Sequence, residues 1–247
     1  MQTFDVAIVG GGPAGSSCAA FCAMADLETL ILERARFPRE KVCGDCLNPS
    51  CWPVLERLGL AQRVLSLPHS KLTSVDFIAI DGRKVSINLP TGNDCELSVK
   101  RSLFDDLLFK RARELGAQGR EDTTVTALVH DQGWKIETAT RESFRARVLI
   151  GADGRNSTVA RLRNLLPRLA RERVALQAHI PLPLNFDERV VLQFLREGYS
   201  GQAPVNENEL NLCLVGKPST IPKLRQWAQR RFEIPANQRW RTITPLT

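Results

Sequence analysis

The chain has 247 residues, of which 43% are hydrophobic and 25% charged, so it can bury a sizeable core and has the composition of an ordinary globular protein. No basic segment followed by an apolar run opens the sequence, and no apolar stretch approaches the roughly 20 residues of a membrane-spanning helix. We therefore expect a cytoplasmic protein rather than a secreted or membrane-spanning one.

The charge is biased towards basic residues, with 34 Lys and Arg against 27 Asp and Glu and a formal net charge of +7. No nucleic-acid motif accompanies the basic residues, and aromatic residues make up 6% of the chain. We expect no nucleic-acid partner. A phosphate-rich cofactor and a solvated basic face account for the charge, and peripheral contact with an anionic membrane surface stays open.

Seven cysteines, an odd number, indicate reduced thiols rather than a disulfide framework. The Cys43-x-x-Cys46 pair has no second pair to complete a zinc site, and the three histidines are isolated. The sequence therefore predicts no metal site.

The first 33 residues have the pattern of a dinucleotide-binding βαβ unit. The apolar run Asp5–Val9 predicts a buried strand, and a helix is expected to begin near Pro13. Between them lies a G-x-G-x-x-G motif formed by Gly10, Gly12 and Gly15. A second predicted strand, 28–33, ends in Glu33.

Each part of this motif has a physical reason. Gly10 permits the tight turn, Gly12 lets the backbone approach a pyrophosphate, and Gly15 allows close packing of helix on strand. The free amides at the start of the helix attract the anion, and Glu33 can accept hydrogen bonds from the ribose hydroxyls. The alternative is direct use of a nicotinamide cofactor, with Arg34 or Arg36 meeting a 2′-phosphate.

Further elements follow in chain order. The segment 34–51 is irregular and basic. Helical spacing predicts helices at 52–60, 101–115 and 220–232. Alternation or β-branched runs predict strands at 74–80, 84–89, 123–129, 133–138, 144–150, 174–180, 189–195 and 209–215, with a hairpin turn at Asp81-Gly82. The segment 198–205 is left without an assignment and 240–247 is read as a tail.

These elements predict an α/β fold with a Rossmann-like FAD- or NAD(P)-binding domain and an inserted and appended, mainly antiparallel β substrate domain. The binding domain is expected at 1–70 and 101–165. The substrate domain is expected at 71–100 and 166–247.

The order of several motifs resembles the FAD-dependent oxidoreductases of the para-hydroxybenzoate hydroxylase-like superfamily. These motifs are the glycine triplet, Glu33, Lys41-Val-Cys-Gly-Asp45, Arg101 and Gly151-Ala-Asp-Gly154. Within that superfamily, the Lys41–Pro49 segment and the following Leu58-Gly-Leu60 are most similar to the geranylgeranyl reductase family.

The resemblance implies FAD as cofactor and NAD(P)H as electron donor. Gly12, Pro13, Ala14 and Gly15 would contact the pyrophosphate, and Glu33, with Arg34 beside it, the adenosine ribose. Arg101 would reach the pyrophosphate or ribityl chain and Val125 would flank the adenine. Asp153 and Gly154 would lie beside the cofactor and help to pass electrons from NAD(P)H, and Cys43 and Gly44 would lie near the isoalloxazine ring. No catalytic acid or base can be assigned, and Cys43 is a weak catalytic candidate.

Two motifs of the family are incomplete in this sequence. A third flavin motif, Gly-Asp-Ala-Ala followed by Pro-Gly, is not found before Thr247, so the sequence resembles a C-terminally truncated member. The lipid-channel motif Tyr-x-Trp-x-Phe-Pro is represented by Tyr199-Ser-Gly-Gln-Ala-Pro204, which keeps Tyr199 and Pro204 only. The Trp-x-Trp-x-Ile-Pro motif of flavin halogenases is missing.

The expected function is reduction of a carbon–carbon double bond in an apolar organic substrate by NAD(P)H through FAD. Oxygen activation for hydroxylation is the runner-up. Two further hypotheses are an inactive FAD-binding remnant and a flavin disulfide reductase that uses the Cys46-x4-Cys51 pair. The substrate, the nicotinamide preference and the oligomeric state are not predicted.

Overall fold

The computed structural model describes residues 1–92, 95–166 and 173–246. Within these residues the chain forms sixteen strands and six α-helices. In order they are β1 (Gln2–Val9), α1 (Pro13–Met24), β2 (Thr29–Leu32), β3 (Cys46–Leu47), α2 (Trp52–Arg57), α3 (Ala61–Leu65), β4 (His69–Leu72), β5 (Ser74–Ile78), β6 (Lys84–Asn88), β7 (Glu96–Val99), α4 (Arg101–Glu114), β8 (Gln118–Arg120), β9 (Val125–His130), β10 (Trp134–Thr138), β11 (Ser143–Gly151), α5 (Thr158–Leu162), β12 (Arg173–Pro181), β13 (Arg189–Leu195), β14 (Gly198–Pro204), β15 (Glu209–Gly216), α6 (Ile221–Phe232) and β16 (Arg241–Leu246).

The chain divides into two compact units, and each contains segments that are distant in sequence. The first unit comprises Met1–Glu40, Leu55–Val64 and Ser102–Arg168, and the second comprises Lys41–Val54, Leu65–Arg101 and Leu169–Thr247. The segments 41–54 and 65–70 group with the second unit, whereas the sequence assigned them to the binding domain. The predicted domain boundaries remain a prediction.

The first unit is built on a sheet whose described strands lie in the order β8-β2-β1-β11-β10-β9. The pairs β8–β2, β2–β1 and β1–β11 are parallel, whereas β10 is antiparallel to β11 and β9. Strand β2 and residues 6–9 of β1 are buried throughout, as expected of parallel strands covered on both faces, whereas β11 carries the exposed Arg145 and Arg147. A core that includes Ala7, Leu30, Ile136 and Phe144 lies on the sheet. The parallel arrangement places the carboxyl ends of β1, β2 and β11 at one edge.

The second unit contains a sheet of seven described strands in the order β16-β12-β15-β14-β13-β5-β6. All its neighbouring pairs are antiparallel except β13–β5. One face of β12 and β15 is apolar and packs against α6, with Leu176, Leu212, Leu214 and Leu224 buried in the contact. The opposite face of the same two strands carries Gln177, His179, Asn211 and Cys213, as the register of the pair requires. A second, smaller sheet of this unit has the order β3-β7-β4.

The α/β class predicted from the sequence is confirmed, with local differences. The unassigned segment 198–205 contains strand β14, and the expected tail contains strand β16. The helix predicted at 52–60 is shorter, ends at Arg57 and is followed by α3. In the described part of the chain, no helix combines the length and the apolar character that crossing a bilayer requires.

Candidate functional site

The glycine loop lies between β1 and α1 and is held by close backbone contacts. Gly10 has φ +107°, and a Cβ on Gly10 would overlap the Ala152 carbonyl. A Cβ on Gly15 would overlap the Gly10 carbonyl oxygen. Helix α1 has Gly12 as its N-cap, no side-chain cap and no acidic residue in its first turn. The start of α1 therefore offers uncapped amides to an anion, as the motif predicts.

Glu33 follows β2 and is 5% exposed. Its Oε2 accepts a hydrogen bond of 2.8 Å from the Gly11 amide, and its Oε1 accepts one of 3.0 Å from the Ala35 amide. The carboxylate thus fixes the glycine loop to the end of β2. Because a carboxylate has about four acceptor positions, capacity remains for ribose hydroxyls.

Arg39 was not singled out from the sequence, yet it lies beside the glycine loop. Its Nη1 is 3.0 Å from Asp105 Oδ2, and its Nη2 is 3.6 Å from Glu33 Oε2. The guanidinium stacks on the Phe37 ring at 4.9 Å from the centroid. Its Nη2 also lies 3.5 Å from the position that a Cβ on Gly12 would take. A fixed cation therefore lies beside Gly12, next to the place where the motif predicts a pyrophosphate. The sequence analysis missed Arg39 because no motif marks it in the irregular segment 34–51.

The remaining predicted residues of the first unit lie near this loop to different degrees. The Ala152 amide donates to the Val9 carbonyl at 2.7 Å, which brings the Asp153-Gly154 segment next to Gly10. Val125 is buried at the start of β9, shortly after Thr123, whose amide donates to the Glu33 carbonyl at 2.8 Å. Arg34 is exposed.

The Asp153 side chain has a structural role at the start of α5. Its Oδ1 accepts from Ser157 Oγ at 2.5 Å, and its Oδ2 accepts from the Thr158 amide at 2.6 Å and the Val159 amide at 3.2 Å. Asp153 therefore satisfies free amides of this short helix. The role beside the cofactor stays a prediction for its backbone and for Gly154, which has φ +81°.

In the second unit, the Cys43-Gly44-Asp45 turn lies against the polar face of β12 and β15. The Cys43 carbonyl accepts hydrogen bonds from Gln177 Nε2 at 2.9 Å and from Asn211 Nδ2 at 2.8 Å. The His179 ring is within 2.7 Å, through Nε2, of Asp45 Oδ2. These contacts join residues more than 130 positions apart in sequence.

Burial raises the pKa of the Asp45 carboxyl, and the hydrogen bond and charge of His179 oppose that rise. The Arg101 amide, at the start of α4, donates to Asp45 Oδ1 at 3.4 Å and acts in the same direction as His179. Asp45 thus links the turn, the sheet and the first residue of α4 within the second unit. Sequence reasoning missed His179, Gln177 and Asn211 because nothing local distinguishes them from ordinary strand residues.

The cysteines carry no sign of redox pairing. Cys43, Cys46 and Cys51 are free and half-buried. Burial raises the pKa of the Cys46 thiol to about 12 and also raises that of Cys51. Since the thiolate is the reactive form, such thiols are poor nucleophiles at neutral pH. Among the described residues, no group of three or more His, Cys, Asp or Glu side chains could hold a metal ion.

Residues 3–244 match the family described as FAD binding domain. The chain belongs to this family. Its glycine loop, Glu33 and Arg39 fit a bound FAD, because an uncapped helix start and a fixed guanidinium face the position that the motif assigns to the pyrophosphate. FAD as the cofactor follows from the family.

Two curated relatives of this family member illustrate its range. It is 34% identical over 164 residues to menaquinone reductase of Mycolicibacterium smegmatis, covering 64% of this chain and 39% of that protein. It is 36% identical over 171 residues to geranylgeranyl diphosphate reductase of Rhodobacter capsulatus, covering 66% of this chain and 40% of that protein. The chain therefore spans about two fifths of the length of these curated relatives.

Among solved structures, the fold is similar to that of pqsL, described as a probable FAD-dependent monooxygenase from Pseudomonas aeruginosa. The TM-score is 0.80 at 20% identity, and the match covers 98% of this chain and 73% of that one. At this identity the likeness establishes the fold and not the reaction.

Proposed function

We propose that this chain belongs to an FAD-dependent oxidoreductase that takes electrons from NAD(P)H and reduces a carbon–carbon double bond in an apolar organic substrate. The observation that carries the proposal is the glycine loop, with the start of α1 left uncapped and Glu33 and Arg39 fixed beside it. The small-molecule substrate and the cytoplasmic location expected from the sequence are parts of the same proposal.

The residues would divide the binding of FAD between them. Amides at the start of α1 and the Arg39 guanidinium would neutralise the pyrophosphate, while the free acceptor positions of Glu33 would meet the ribose. The assignments of Arg34, Arg101, Val125, Asp153 and Gly154 to the cofactor, and of Cys43 and Gly44 to the isoalloxazine ring, are kept as proposals. Bound FAD supplies the hydride chemistry, and the chain positions it and excludes water.

An apolar substrate is favoured by one face of the second unit's large sheet. Register places Val75, Phe77, Leu192 and Phe194 on one face of β5 and β13, together with Tyr199 of β14. Phe194 is 43% exposed and its ring lies 6.4 Å from that of Tyr199. The other four side chains are half-buried, so this apolar face is partly exposed, and exposed apolar patches mark binding sites.

The altered lipid-channel motif lies on strand β14 and contributes to the same face of the sheet. Tyr199, Gly201 and Ala203 alternate along β14 and lie on the same face as Asn211 and Cys213 of β15. Gly201 and Ala203 stand where the resembled family has Trp and Phe. A Cβ on Gly201 would meet Leu192 and Cys213 at ordinary contact distances of 3.6 and 3.9 Å. The face is therefore flatter than the family's motif would make it, and we propose a bulkier substrate than a linear isoprenoid.

The first test is the colour of the purified protein and the release of FAD on denaturation. Oxidation of NADPH and NADH is then followed under nitrogen and in air, with menaquinone and geranylgeranyl diphosphate as probe substrates. Substrate-dependent oxidation under nitrogen supports the reductase. NAD(P)H oxidation that needs oxygen and yields hydroxylated product favours the monooxygenase, and FAD binding without any oxidation refutes the proposal.

Two other hypotheses have distinct outcomes in the same experiments. A colourless protein that cannot be reconstituted with FAD is expected of the inactive remnant. Cycling of Cys46 and Cys51 between thiols and a disulfide is expected of the flavin disulfide reductase. The raised pKa of the Cys46 thiol argues against that cycle.

A further inference from the structure

The Cys43-Gly44-Asp45 turn is fixed at its first residue by side chains of the sheet. Besides the bonds from Gln177 and Asn211, the Cys43 carbonyl accepts a contact of 3.5 Å from Cys213 Sγ. A carbonyl oxygen has two lone pairs, so this oxygen is fully used by the sheet. The Gln177 amide is itself held by a bond of 3.1 Å to Asn211 Oδ1. The position of the Cys43 peptide therefore depends on Gln177 and Asn211 acting together.

The third residue of the turn is fixed as firmly. Asp45 is 1% exposed and has φ +61°, a left-handed conformation that a residue with a Cβ adopts at a cost. Its carbonyl accepts from the Val99 amide at 2.8 Å, while its carboxylate meets His179 and Gln177 at 2.7 and 3.4 Å. These contacts hold the backbone in the costly conformation.

The middle residue is the opposite case. Gly44 is exposed, and no atom lies within 4 Å of the position that a Cβ on it would take. The side of Gly44 on which a Cβ would lie is open, while side chains of β12 and β15 fix both of its neighbours. Such a backbone edge is suited to close approach by a flat ligand.

We propose that Gln177, His179 and Asn211 are positioning residues that hold this turn, through the Cys43 carbonyl and the Asp45 carboxylate, in the shape in which Gly44 presents open backbone to a flat ring system such as isoalloxazine. The inference rests on the FAD site of the proposed function, but on no particular substrate or reaction. It extends the site to three strand residues that no sequence motif contains.

The hold of the turn depends on the ionisation of Asp45. The ionised carboxylate accepts from His179 and from the Arg101 amide, whereas protonation removes acceptor capacity. His179 lowers the pKa of Asp45 against the effect of burial, so it widens the pH range in which the turn is held. The other titratable and charged groups of this cluster and its surroundings are Cys43, Cys46, Glu96, Lys100, Arg101, Glu209 and Cys213.

The test follows two signals from about pH 4 to about pH 8, a range that brackets ordinary carboxyl and imidazole groups. They are the Gly44 amide resonance of the cofactor-free protein and the dissociation constant of FAD, for the wild type, His179→Leu and His179→Gln. Gln keeps an N–H donor for Asp45 but carries no charge. His130→Leu is the matched control, because His130 is exposed and its ring packs edge-on against Trp134, far in sequence from the turn.

In the wild type, FAD binding weakens and the Gly44 signal moves as the pH falls through the raised pKa of Asp45. His179→Leu shifts both transitions to higher pH and weakens FAD binding at neutral pH about tenfold, a change of about 1.4 kcal/mol. His179→Gln shifts them less, and His130→Leu leaves them in place. A loss of packing alone would not move the midpoint.

The inference is overturned if His179→Leu keeps the wild-type midpoint and FAD affinity, or if the wild-type chain binds no FAD at any pH. If the transitions shift as expected but the bound flavin is never reduced by NAD(P)H, the proposed function fails and the positioning role stands.

Discussion

The glycine loop and the Cys43-Gly44-Asp45 turn are both exposed pieces of backbone, but they are built in different ways. The loop is shaped by the lack of side chains, since Gly10 and Gly15 are packed against carbonyl groups. The turn is shaped by distant side chains that bond to the residues on either side of an unobstructed Gly44. Substitutions at glycine should therefore destroy the loop and spare the turn, whereas polar substitutions on β12 and β15 should affect the turn alone.

Gly15→Ala is expected to have the largest effect. The new methyl group would overlap the Gly10 carbonyl oxygen, so helix α1 must move away from the loop. Overpacking of this kind costs about 3 kcal/mol of unfolding free energy. Urea unfolding measures the change, with Gly44→Ala as the control because open space surrounds its Cβ position, and FAD binding of Gly15→Ala is compared with that of the wild type alone. Equal losses in the two variants would contradict the distinction between loop and turn.

Arg39→Met should follow in size. It removes the guanidinium that lies 3.0 Å from Asp105, a residue with 0% exposure, and 3.6 Å from Glu33. Loss of a cation from a buried carboxylate costs roughly 3 kcal/mol, and the pyrophosphate would lose its fixed positive charge as well. Unfolding free energy and the FAD dissociation constant should both worsen, whereas the exposed Arg36→Met should change neither by more than about 0.5 kcal/mol. Unchanged FAD affinity in Arg39→Met would remove Arg39 from the site.

Asp45→Asn and Glu209→Gln should alter the pH dependence of stability in opposite directions. Burial raises the pKa of Asp45, so ionisation of this carboxyl lowers the unfolding free energy as the pH rises through the folded pKa, even though the ionised form is the one that His179 and the Arg101 amide bond. Hydrogen bonds from Lys100 and Asn206 outweigh burial and lower the pKa of Glu209, so its contribution is lost as the pH falls.

The measurement for this pair is the unfolding free energy of each variant from about pH 3 to about pH 7. The advantage of the wild type over Asp45→Asn should shrink as the pH rises, and its advantage over Glu209→Gln should grow. If the wild type and Asp45→Asn had the same slope of unfolding free energy against pH, burial would not raise the pKa of Asp45.

The glycine loop could be predicted from the sequence better than the turn, because local residues shape the loop and distant side chains shape the turn. The loop is encoded within Asp5–Glu33, where spacing and residue type carry the geometry, and the βαβ unit was predictable from it. The contacts that fix the loop could not be predicted, because the Gly11–Glu33 hydrogen bond and the Arg39 ion pair depend on how side chains meet in the folded chain. Gln177 and Asn211 lie 134 and 168 positions from Cys43, so no local pattern links them to the turn.

The elements that the sequence missed have weak local signals. Strand β14 reads Gly-Tyr-Ser-Gly-Gln-Ala-Pro, with few residues that favour a strand, and it forms because β13 and β15 pair with it on both sides. Tertiary pairing outweighed propensity there. The two-residue strand β3 exists only as a partner of β7.

Gly201→Trp should have the smallest effect on stability and tests whether strand β14 sets substrate size. The residue lies on the face shared with Asn211 and Cys213, and a Cβ there meets no atom closer than 3.6 Å. The ring would restore the Trp of the resembled motif and cover the flat part of the face. We expect an unfolding free energy within about 1 kcal/mol of that of the wild type. We also expect the ratio of kcat/KM for menaquinone to kcat/KM for geranylgeranyl diphosphate to fall about tenfold. Gly201→Ala, which adds only a methyl group, is the control. An unchanged ratio in Gly201→Trp would mean that the substrate does not lie on this face, even if the turn beside it binds FAD as proposed.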